Sequence, residues 1–203
     1  MVTVTDLTAT ILDYAGIDKP KYMTGNSFLK DDFNREYVYA ARDQWDEIMD
    51  KSRAIVTKKW KYIRNYKPEI PYDAGQAYLE FYRPAVHIMR TAKSKNLLTN
   101  AQLHFFKESK DLEELYDLEN DPHEINNLAL DPSFQNVMNK FRIDMEEYNK
   151  RYRPMSDKYE PIIAESVVIL ELVKKNRPEE YKRMLDGYEI GFSKSKDEYY
   201  KNN

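Results

Sequence analysis

The sequence of 203 residues contains no cysteine, three histidines and five glycines. The lack of cysteine excludes disulfide bonds, thiolate metal sites and a thiol nucleophile. His87, His104 and His123 are dispersed along the chain and lack the close spacing of a metal site. Folds held by disulfide bonds and functions that depend on a cysteine thiolate are therefore excluded.

Long apolar runs and an excess of one charge are also missing. The apolar stretch 162–173 is interrupted by Glu165 and Glu171, and no run approaches the ~20 residues of a membrane-spanning helix. Thirty-five acidic and thirty-two basic residues give a net charge of −3. Since no basic excess points to polyanions, the sequence predicts neither a nucleic-acid nor a membrane partner.

Aromatic residues are plentiful, with seventeen tyrosines and eight phenylalanines. Tyrosine rings can fill a core or cover polar surface. Hydrophobic residues make up 41% of the chain, which is enough to bury a core. The length fits one domain of ordinary size, or a smaller domain with an extension.

Alternating apolar and polar residues predict short strands near 36–42, 52–57, 60–65 and 114–118. Four short strands are most economically arranged as one antiparallel sheet. A long helix is predicted from about 132 to 152, and we expect its apolar stripe to pack on one face of the sheet. The stripe consists of Phe134, Val137, Met138, Phe141, Met145 and Tyr148.

A first helix is predicted after Thr5, which can cap it, and it ends at Gly16. Its apolar face comprises Leu7, Ile11, Leu12 and Ala15. Shorter helices are predicted at 75–81, 84–95 and 99–107, the last with a capping box at Thr99 and Gln102. In the last fifty residues, helices are predicted at 161–176 and 178–185 and a strand at 187–192.

The stretch Glu113–Leu128 predicts a strand, a rigid turn at Asn120-Asp121-Pro122 and a single helical turn from His123 to Leu128. Asp117, Asp121 and Glu124 form an acidic group within it. The group lacks the spacing and the glycine of a calcium loop, so we predict no calcium site there.

Three segments carry a family resemblance, in order and with the family's spacing. They are ELYDLENDPHEINNLA at 114–129, the helix 4–17 followed by the loop 22–28, and YVYAARD at 37–43 with the strands around 53–55 and 59–66. Together they resemble the C-terminal part of sulfatases, the formylglycine-dependent sulfuric-ester hydrolases of the alkaline-phosphatase-like superfamily. The resemblance leans toward heparan N-sulfatase-type and arylsulfatase-like members.

The resemblance implies an α+β fold, the C-terminal subdomain of an alkaline-phosphatase-like protein. Residues 1–30 would join the catalytic domain, 31–152 would form the subdomain, and 153–203 would be a helical extension. Sulfatases make formylglycine from Cys or Ser in a C/S-x-P-x-R motif and hold Ca²⁺ with clustered Asp and Asn oxygens. Neither feature is found here, so both cofactors are expected in a missing N-terminal catalytic domain, the chain's main partner.

The resemblance also places candidate substrate-binding residues after the first strand, at the rim of the family's pocket. They are Arg42, Asp43, Trp45, Asp46, Glu47 and Arg53. Arginine can bind a sulfate through two hydrogen bonds, and Trp45 could stack on a sugar ring. Alternatively, Arg42 and Asp43 pair with each other, or with Arg53, in a solvated cluster.

The predicted function is the C-terminal portion of a sulfatase acting on sulfated sugars, without the nucleophile and metal site. The alternative is a free-standing module that binds a sulfated glycan or a protein partner without hydrolysis. We expect the Leu7/Ile11 face to be exposed, self-associated or covered by the tail. Family resemblance implies a periplasmic, secreted or lysosomal location.

Overall fold

The computed structural model describes residues 1–45, 48–74, 84–151, 174–179 and 182. Predictions for 75–81 and for most of the tail lie outside these residues. The elements, in chain order, are α1 Val4–Tyr14, β1 Val38–Arg42, β2 Ser52–Val56, β3 Trp60–Asn65, α2 Pro84–Ser94, α3 Asn100–His104, β4 Glu113–Asp117 and α4 Gln135–Arg151, with a 3-10 turn at Pro132–Phe134 before α4.

The chain forms two compact units, each assembled from separate segments. The first unit contains Met1–Ala41, Ser52–Arg64 and Glu113–Pro154. The second unit contains Arg42–Lys51, Asn65–Leu112 and Met155–Asn203.

The four strands form one sheet in the order β1-β2-β3-β4. β3 and β4 are antiparallel, with Trp60 opposite Asp117 and Arg64 opposite Glu113. β2 and β3 are joined by a tight turn, in which the backbone N–H of Thr57 donates to the carbonyl of Trp60 over 2.8 Å. The predicted four-stranded antiparallel sheet is confirmed, and the strand ends differ from the prediction by one or two residues.

The core of the first unit lies between α4 and the sheet. Met138, Phe141 and Met145 are buried together with Ile55, Tyr62, Leu115 and Ala129. The Phe141 ring stacks on Tyr62, with centroids 5.8 Å apart. The predicted packing of α4 on the sheet is confirmed, and burial of each large side chain contributes roughly 1.5–3 kcal/mol.

Helix α1 starts earlier than the sequence pattern predicted. Thr3, and not Thr5, is the N-cap, and its backbone N–H donates to Oδ2 of Asp6 over 2.9 Å. The correction follows from the capping box, because Asp6 stands three residues after Thr3 and not after Thr5. The helix buries Asp6, Ala9 and Thr10.

The apolar face of α1 points away from the described residues. Leu7 is 51% exposed and Ile11 59% exposed. Exposure was one of the three states expected for this face.

The predicted helical turn from His123 to Leu128 is wrong. The segment instead covers the free edge of β4, where the Asn127 side chain accepts from the N–H of Leu115 over 3.0 Å and donates to the carbonyl of Glu113 over 3.1 Å. The N–H of Leu128 donates to the carbonyl of Leu115 over 2.8 Å. Edge strands leave backbone groups without partners, and satisfying them outweighs a single isolated helical turn.

The turn before this segment uses its acidic side chains locally. Asp117 accepts hydrogen bonds from the backbone of Glu119 and Asn120, and Asp121 accepts one from the N–H of Asn126 over 2.7 Å. These carboxylates therefore fix the backbone of the turn.

The second unit contains α2 and α3. The predicted helix start at Thr99 is confirmed, since its hydroxyl accepts from the N–H of Gln102 and the Gln102 side chain accepts from the N–H of Thr99. Among the described residues, no helix combines the length and the apolar character that crossing a bilayer demands.

Candidate functional site

A charge cluster lies in the second unit, at the end of β1. The carboxylate of Asp50 accepts from the Arg42 guanidinium and from the Lys110 ammonium. The Lys110 side chain is 0% exposed and that of Asp50 6%, whereas Arg42 is 37% exposed. The Asp50–Lys110 pair is therefore buried, and Arg42 extends from it toward the surface.

The backbone around the cluster is held by its own hydrogen bonds. The N–H of Lys110 donates to the carbonyl of Pro68 over 2.8 Å, and the N–H of Tyr66 donates to the carbonyl of Lys51 over 2.9 Å. The Lys110 ammonium lies 5.6 Å from the centre of the Tyr72 ring, an arrangement that favours a buried cation. Arg42 is therefore anchored to a fixed carboxylate.

The loop after β1 contains the other candidates from the sequence. Asp43 is exposed and Trp45 is half-buried. The N–H of Trp45 donates to the carbonyl of Ile48 over 2.8 Å, and the N–H of Ile48 donates to the carbonyl of Trp45 over 2.9 Å. The candidates Asp46 and Glu47 lie outside the described residues.

Arg53 occupies a different setting from the other candidates. It lies on β2 in the first unit and is 2% exposed. Its Nη1 donates to the carbonyl of Ser52 over 2.8 Å. An arginine this deeply buried offers little surface to a substrate.

Asp50 and Lys110 were not predicted as site residues. They are sixty positions apart in the sequence, although their side chains form a hydrogen bond. Each lies in a stretch of charged residues that is typical of a solvated surface. Only the fold brings them to Arg42. A signal that could have identified them is not visible in the sequence pattern.

Asp6 is a second feature that sequence reasoning missed. Its buried carboxylate accepts from Nε of Arg35 over 2.6 Å and from the backbone N–H groups of Asn26 and Thr3, each over 2.9 Å. Burial by itself raises the pKa of Asp6, but these hydrogen bonds outweigh it and lower the pKa to about 2. The ionised carboxylate ties α1 to the loop that follows it.

That loop approaches α1 so closely that one position must be glycine. A Cβ on Gly25 would lie 2.0 Å from the carbonyl oxygen of Thr5, a distance that no side chain tolerates. The N–H of Phe28 donates to the hydroxyl of Thr10 over 3.1 Å. The Gly-Asn-Ser-Phe segment therefore serves packing against α1.

Glu113 is the centre of a third cluster, in the first unit. It accepts from Arg142, from Nη1 of Arg64 over 2.9 Å and from the hydroxyl of Tyr62 over 2.6 Å. Chiefly through the hydrogen bonds from Arg142, and despite burial, the pKa of Glu113 is lowered to about 2. Its three partners join α4 to β3 and β4, so the cluster is structural.

The described residues contain no group of three or more His, Cys, Asp or Glu side chains arranged to hold a metal ion. Chemically, the Arg42 cluster can bind an anion. It offers no nucleophile of its own, because Arg42, Asp50 and Lys110 are occupied with one another.

Comparisons with known proteins indicate a family. Residues 72–151 match the family model described as N-sulphoglucosamine sulphohydrolase, C-terminal. An ulvan-active sulfatase of Formosa agariphila is 36% identical over 151 residues, which cover 73% of this chain and 25% of that protein. A second ulvan-active sulfatase from the same organism is 30% identical over 165 residues, covering 74% of this chain and 29% of the relative.

Two solved structures show a weak likeness to this chain. A 2-O GAG sulfatase has a TM-score of 0.48 and 21% identity, covering 72% of this chain and 24% of that one. A protein in complex with its substrate D-glucosamine-2-N,6-O-disulfate has a TM-score of 0.46 and 18% identity, covering 76% and 25%. These structural likenesses are too low to carry an argument, so the assignment rests on sequence. The chain spans about a quarter of the length of the curated relatives. The family model and both curated relatives support the assignment of this chain to a C-terminal part of the sulfatase family.

Proposed function

We propose that this chain is the portion of a sulfatase that forms the rim of the substrate pocket. The substrates are sulfated sugars, consistent with the relatives, whose names describe them as ulvan-active. The formylglycine nucleophile and Ca²⁺ belong to a catalytic domain outside these residues. The observation that carries the proposal is the Arg42–Asp50–Lys110 cluster, in which a buried Asp50–Lys110 pair holds a partly exposed arginine at the surface.

In this proposal Arg42 binds a sulfate or carboxylate group of the sugar. A guanidinium fixed by Asp50 loses little freedom on binding, so more of the interaction contributes to affinity. Asp43 accepts from sugar hydroxyls and Trp45 packs against a ring. Asp46 and Glu47 stay candidates from the sequence, since they lie outside the described residues. Arg53 has no part in it, because it is buried on β2.

The exposed face of α1 is the surface on which we place the catalytic domain. Leu7 and Ile11 present apolar side chains that the described residues leave uncovered. Apolar patches of this kind mark contact surfaces in proteins. Roughly three quarters of each relative lies outside the match, which is enough chain for a catalytic domain that could cover this face.

The first test measures sulfate release by purified residues 1–203. The substrates are a synthetic aryl sulfate, heparin disaccharides and ulvan oligosaccharides, each with and without Ca²⁺. We expect no turnover, because positioning groups accelerate nothing without a nucleophile. Turnover that one of this chain's own point mutations abolishes would overturn the proposal.

The second test uses a whole sulfatase into which this segment has been exchanged. Arg42→Ala should raise KM by about tenfold, as expected for one charge-assisted hydrogen bond, and leave formylglycine formation unchanged. Lys58→Ala is the matched control, since it removes an exposed positive charge from the β2–β3 turn. An Arg42→Ala enzyme with the KM of the parent would contradict the rim assignment.

A further inference from the structure

Lys110 is the buried cation of the Arg42–Asp50–Lys110 cluster. Its side chain is 0% exposed, so a sugar at the surface cannot touch it. Both ends of the residue are held in place, since its backbone N–H donates to the carbonyl of Pro68 and its ammonium lies over the Tyr72 ring. Any effect of Lys110 on a ligand must therefore pass through another residue.

The two oxygens of Asp50 serve different cations. Oδ1 accepts from Nζ of Lys110, and Oδ2 accepts from Nη2 of Arg42. The Asp50 side chain is only 6% exposed, so water contributes little to either oxygen. Buried carboxylate oxygens require donors, and here each oxygen has one from a different element of the second unit.

This division of the carboxylate determines how Arg42 is held. A carboxylate that has no other partner commonly binds a guanidinium through both oxygens at once. With Oδ1 occupied by Lys110, Asp50 holds Arg42 through Oδ2, and the Arg42 side chain remains 37% exposed. The arginine is thus fixed at one nitrogen and still reaches the surface.

We propose that Lys110 is a positioning residue of the rim, which occupies Oδ1 of Asp50 and so keeps the Arg42 guanidinium turned toward the surface to bind an anionic group of the sugar. Without Lys110, both oxygens of Asp50 would draw Arg42 inward. Because Lys110 acts through Arg42, this role rests on the proposed rim function. Affinity for the anionic group then depends on a residue that the sugar never contacts.

The first test measures how fast phenylglyoxal, a reagent for arginine, modifies Arg42 in residues 1–203, with mass spectrometry of the peptides as readout. Lys110→Met keeps the length of the side chain and removes the donor. It should slow the modification about threefold, because Asp50 then holds Arg42 more tightly. Asp50→Asn should accelerate the modification, because a neutral amide holds a guanidinium less tightly than a carboxylate does.

The second test uses the exchanged sulfatase and compares two substrates. For a sulfated disaccharide that carries a second anionic group, Lys110→Met should raise KM by about fivefold, within the range of one hydrogen bond, and leave kcat unchanged. For an aryl sulfate, which has no second anionic group for Arg42, KM should stay at the parental value. A Lys110 that only stabilised the fold would lower the melting temperature without separating the two substrates.

A double substitution shows whether Lys110 acts through Arg42. In the Arg42→Ala enzyme, the further change Lys110→Met should leave the KM of the disaccharide as it is, because the residue that Lys110 positions is gone.

Lys107→Met is the matched control, since Lys107 is 45% exposed and pairs with Asp111 at the surface. It should change neither KM nor the modification of Arg42. Arg151 is the internal reference for the reagent, because it is exposed and belongs to the first unit. Lys110→Gln is the second variant, in case Lys110→Met does not fold. Its amide donates a weaker hydrogen bond to Asp50, so the same changes should appear by a smaller factor.

The positioning role is wrong if Lys110→Met leaves the modification rate of Arg42 at the parental value. It is also wrong if Lys110→Met raises the KM of the disaccharide equally with and without Arg42, or raises the KM of the aryl sulfate as much as that of the disaccharide. In these three cases the rim function stands, provided that Arg42→Ala raises the KM of the disaccharide. If Arg42→Ala leaves that KM unchanged, the rim function itself fails and the role of Lys110 fails with it.

Discussion

Helices α1 and α4 both carry an apolar stripe, but they use it in opposite ways. Helix α4 buries Met138, Phe141 and Met145 against the sheet. Helix α1 buries Asp6, Ala9 and Thr10 and leaves its apolar stripe exposed. Periodicity shows that a helix has an apolar face, whereas the partner of that face depends on what else the molecule contains.

The difference has a physical cause at Asp6. Four groups, the two donors of Arg35 and the N–H groups of Asn26 and Thr3, converge on its carboxylate. Ionised groups can be buried only when they are paired and hydrogen-bonded. This network fixes the rotation of α1, and its apolar side chains are then directed away from the loop.

The largest effect is expected from the buried stripe of α4. Phe141→Ala should lower the free energy of unfolding by about 3–5 kcal/mol, because it removes a ring stacked on Tyr62 and leaves a cavity. Urea denaturation followed by circular dichroism measures the change. Ile143→Ala is the matched control on the same helix, since Ile143 is 59% exposed, and should change stability by less than about 0.5 kcal/mol. Equal effects of the two substitutions would mean that α4 does not pack as described.

The next effect concerns the polar face of α1. Asp6→Ala should cost about 3 kcal/mol, because it leaves the Arg35 guanidinium and two backbone N–H groups without their acceptor. Asp13→Ala removes an exposed carboxylate from the same helix and should be nearly silent in the same denaturation experiment. A loss below about 1 kcal/mol for Asp6→Ala would show that the network does not hold α1.

A smaller effect is expected from acid at Glu113. Its folded pKa of about 2 lies below the reference value of 4.5, so the stabilisation is present above pH 4.5 and is lost as the pH falls toward 2. Glu113→Gln should therefore lower the free energy of unfolding by about 2 kcal/mol near pH 6 and hardly at all near pH 2. This value is reduced because solvent screens the partly exposed Arg64 and Arg142. Denaturation across this pH range measures the difference between parent and variant.

Glu119→Gln provides the comparison for the acid experiment. Glu119 is 60% exposed and forms a surface ion pair with Lys59. Glu119→Gln should therefore change the free energy of unfolding only slightly at every pH. A cost of Glu113→Gln that stays constant from pH 6 to pH 2 would contradict the depressed pKa of Glu113.

The smallest effect on stability is expected from the exposed stripe of α1. The double substitution Leu7→Ser and Ile11→Ser should change the free energy of unfolding by less than about 1 kcal/mol, because the described residues do not cover these side chains. It should, however, abolish the concentration-dependent association that we expect of the parent in light scattering. A parent chain that remains monomeric at high concentration would contradict self-association through this face.

Part of the fold was visible in the sequence. Alternation identified the strands, and the spacing of Phe141 and Met145 identified the buried side of α4. Thr99 and Gln102 identified the start of α3. These features depend on residues near one another in the chain, so local pattern is sufficient to predict them.

The candidate site was predicted less completely. Arg42 was named from its place at the end of β1, but Asp50 and Lys110, which hold it, were not. The turn at His123 was predicted as helix because its composition fits both states. The neighbouring edge of β4 decided between them, through the pairing of Asn127.

The sequence by itself therefore determined the strands, the long helix and the family, because local periodicity and ordered motifs encode them. Only the tertiary structure decided which face of α1 is buried and which carboxylate holds Arg42. Those outcomes depend on side chains brought together from distant positions. The fold determines whether a charged side chain meets partners that are distant in the sequence, and the spacing of residues along the chain does not show this.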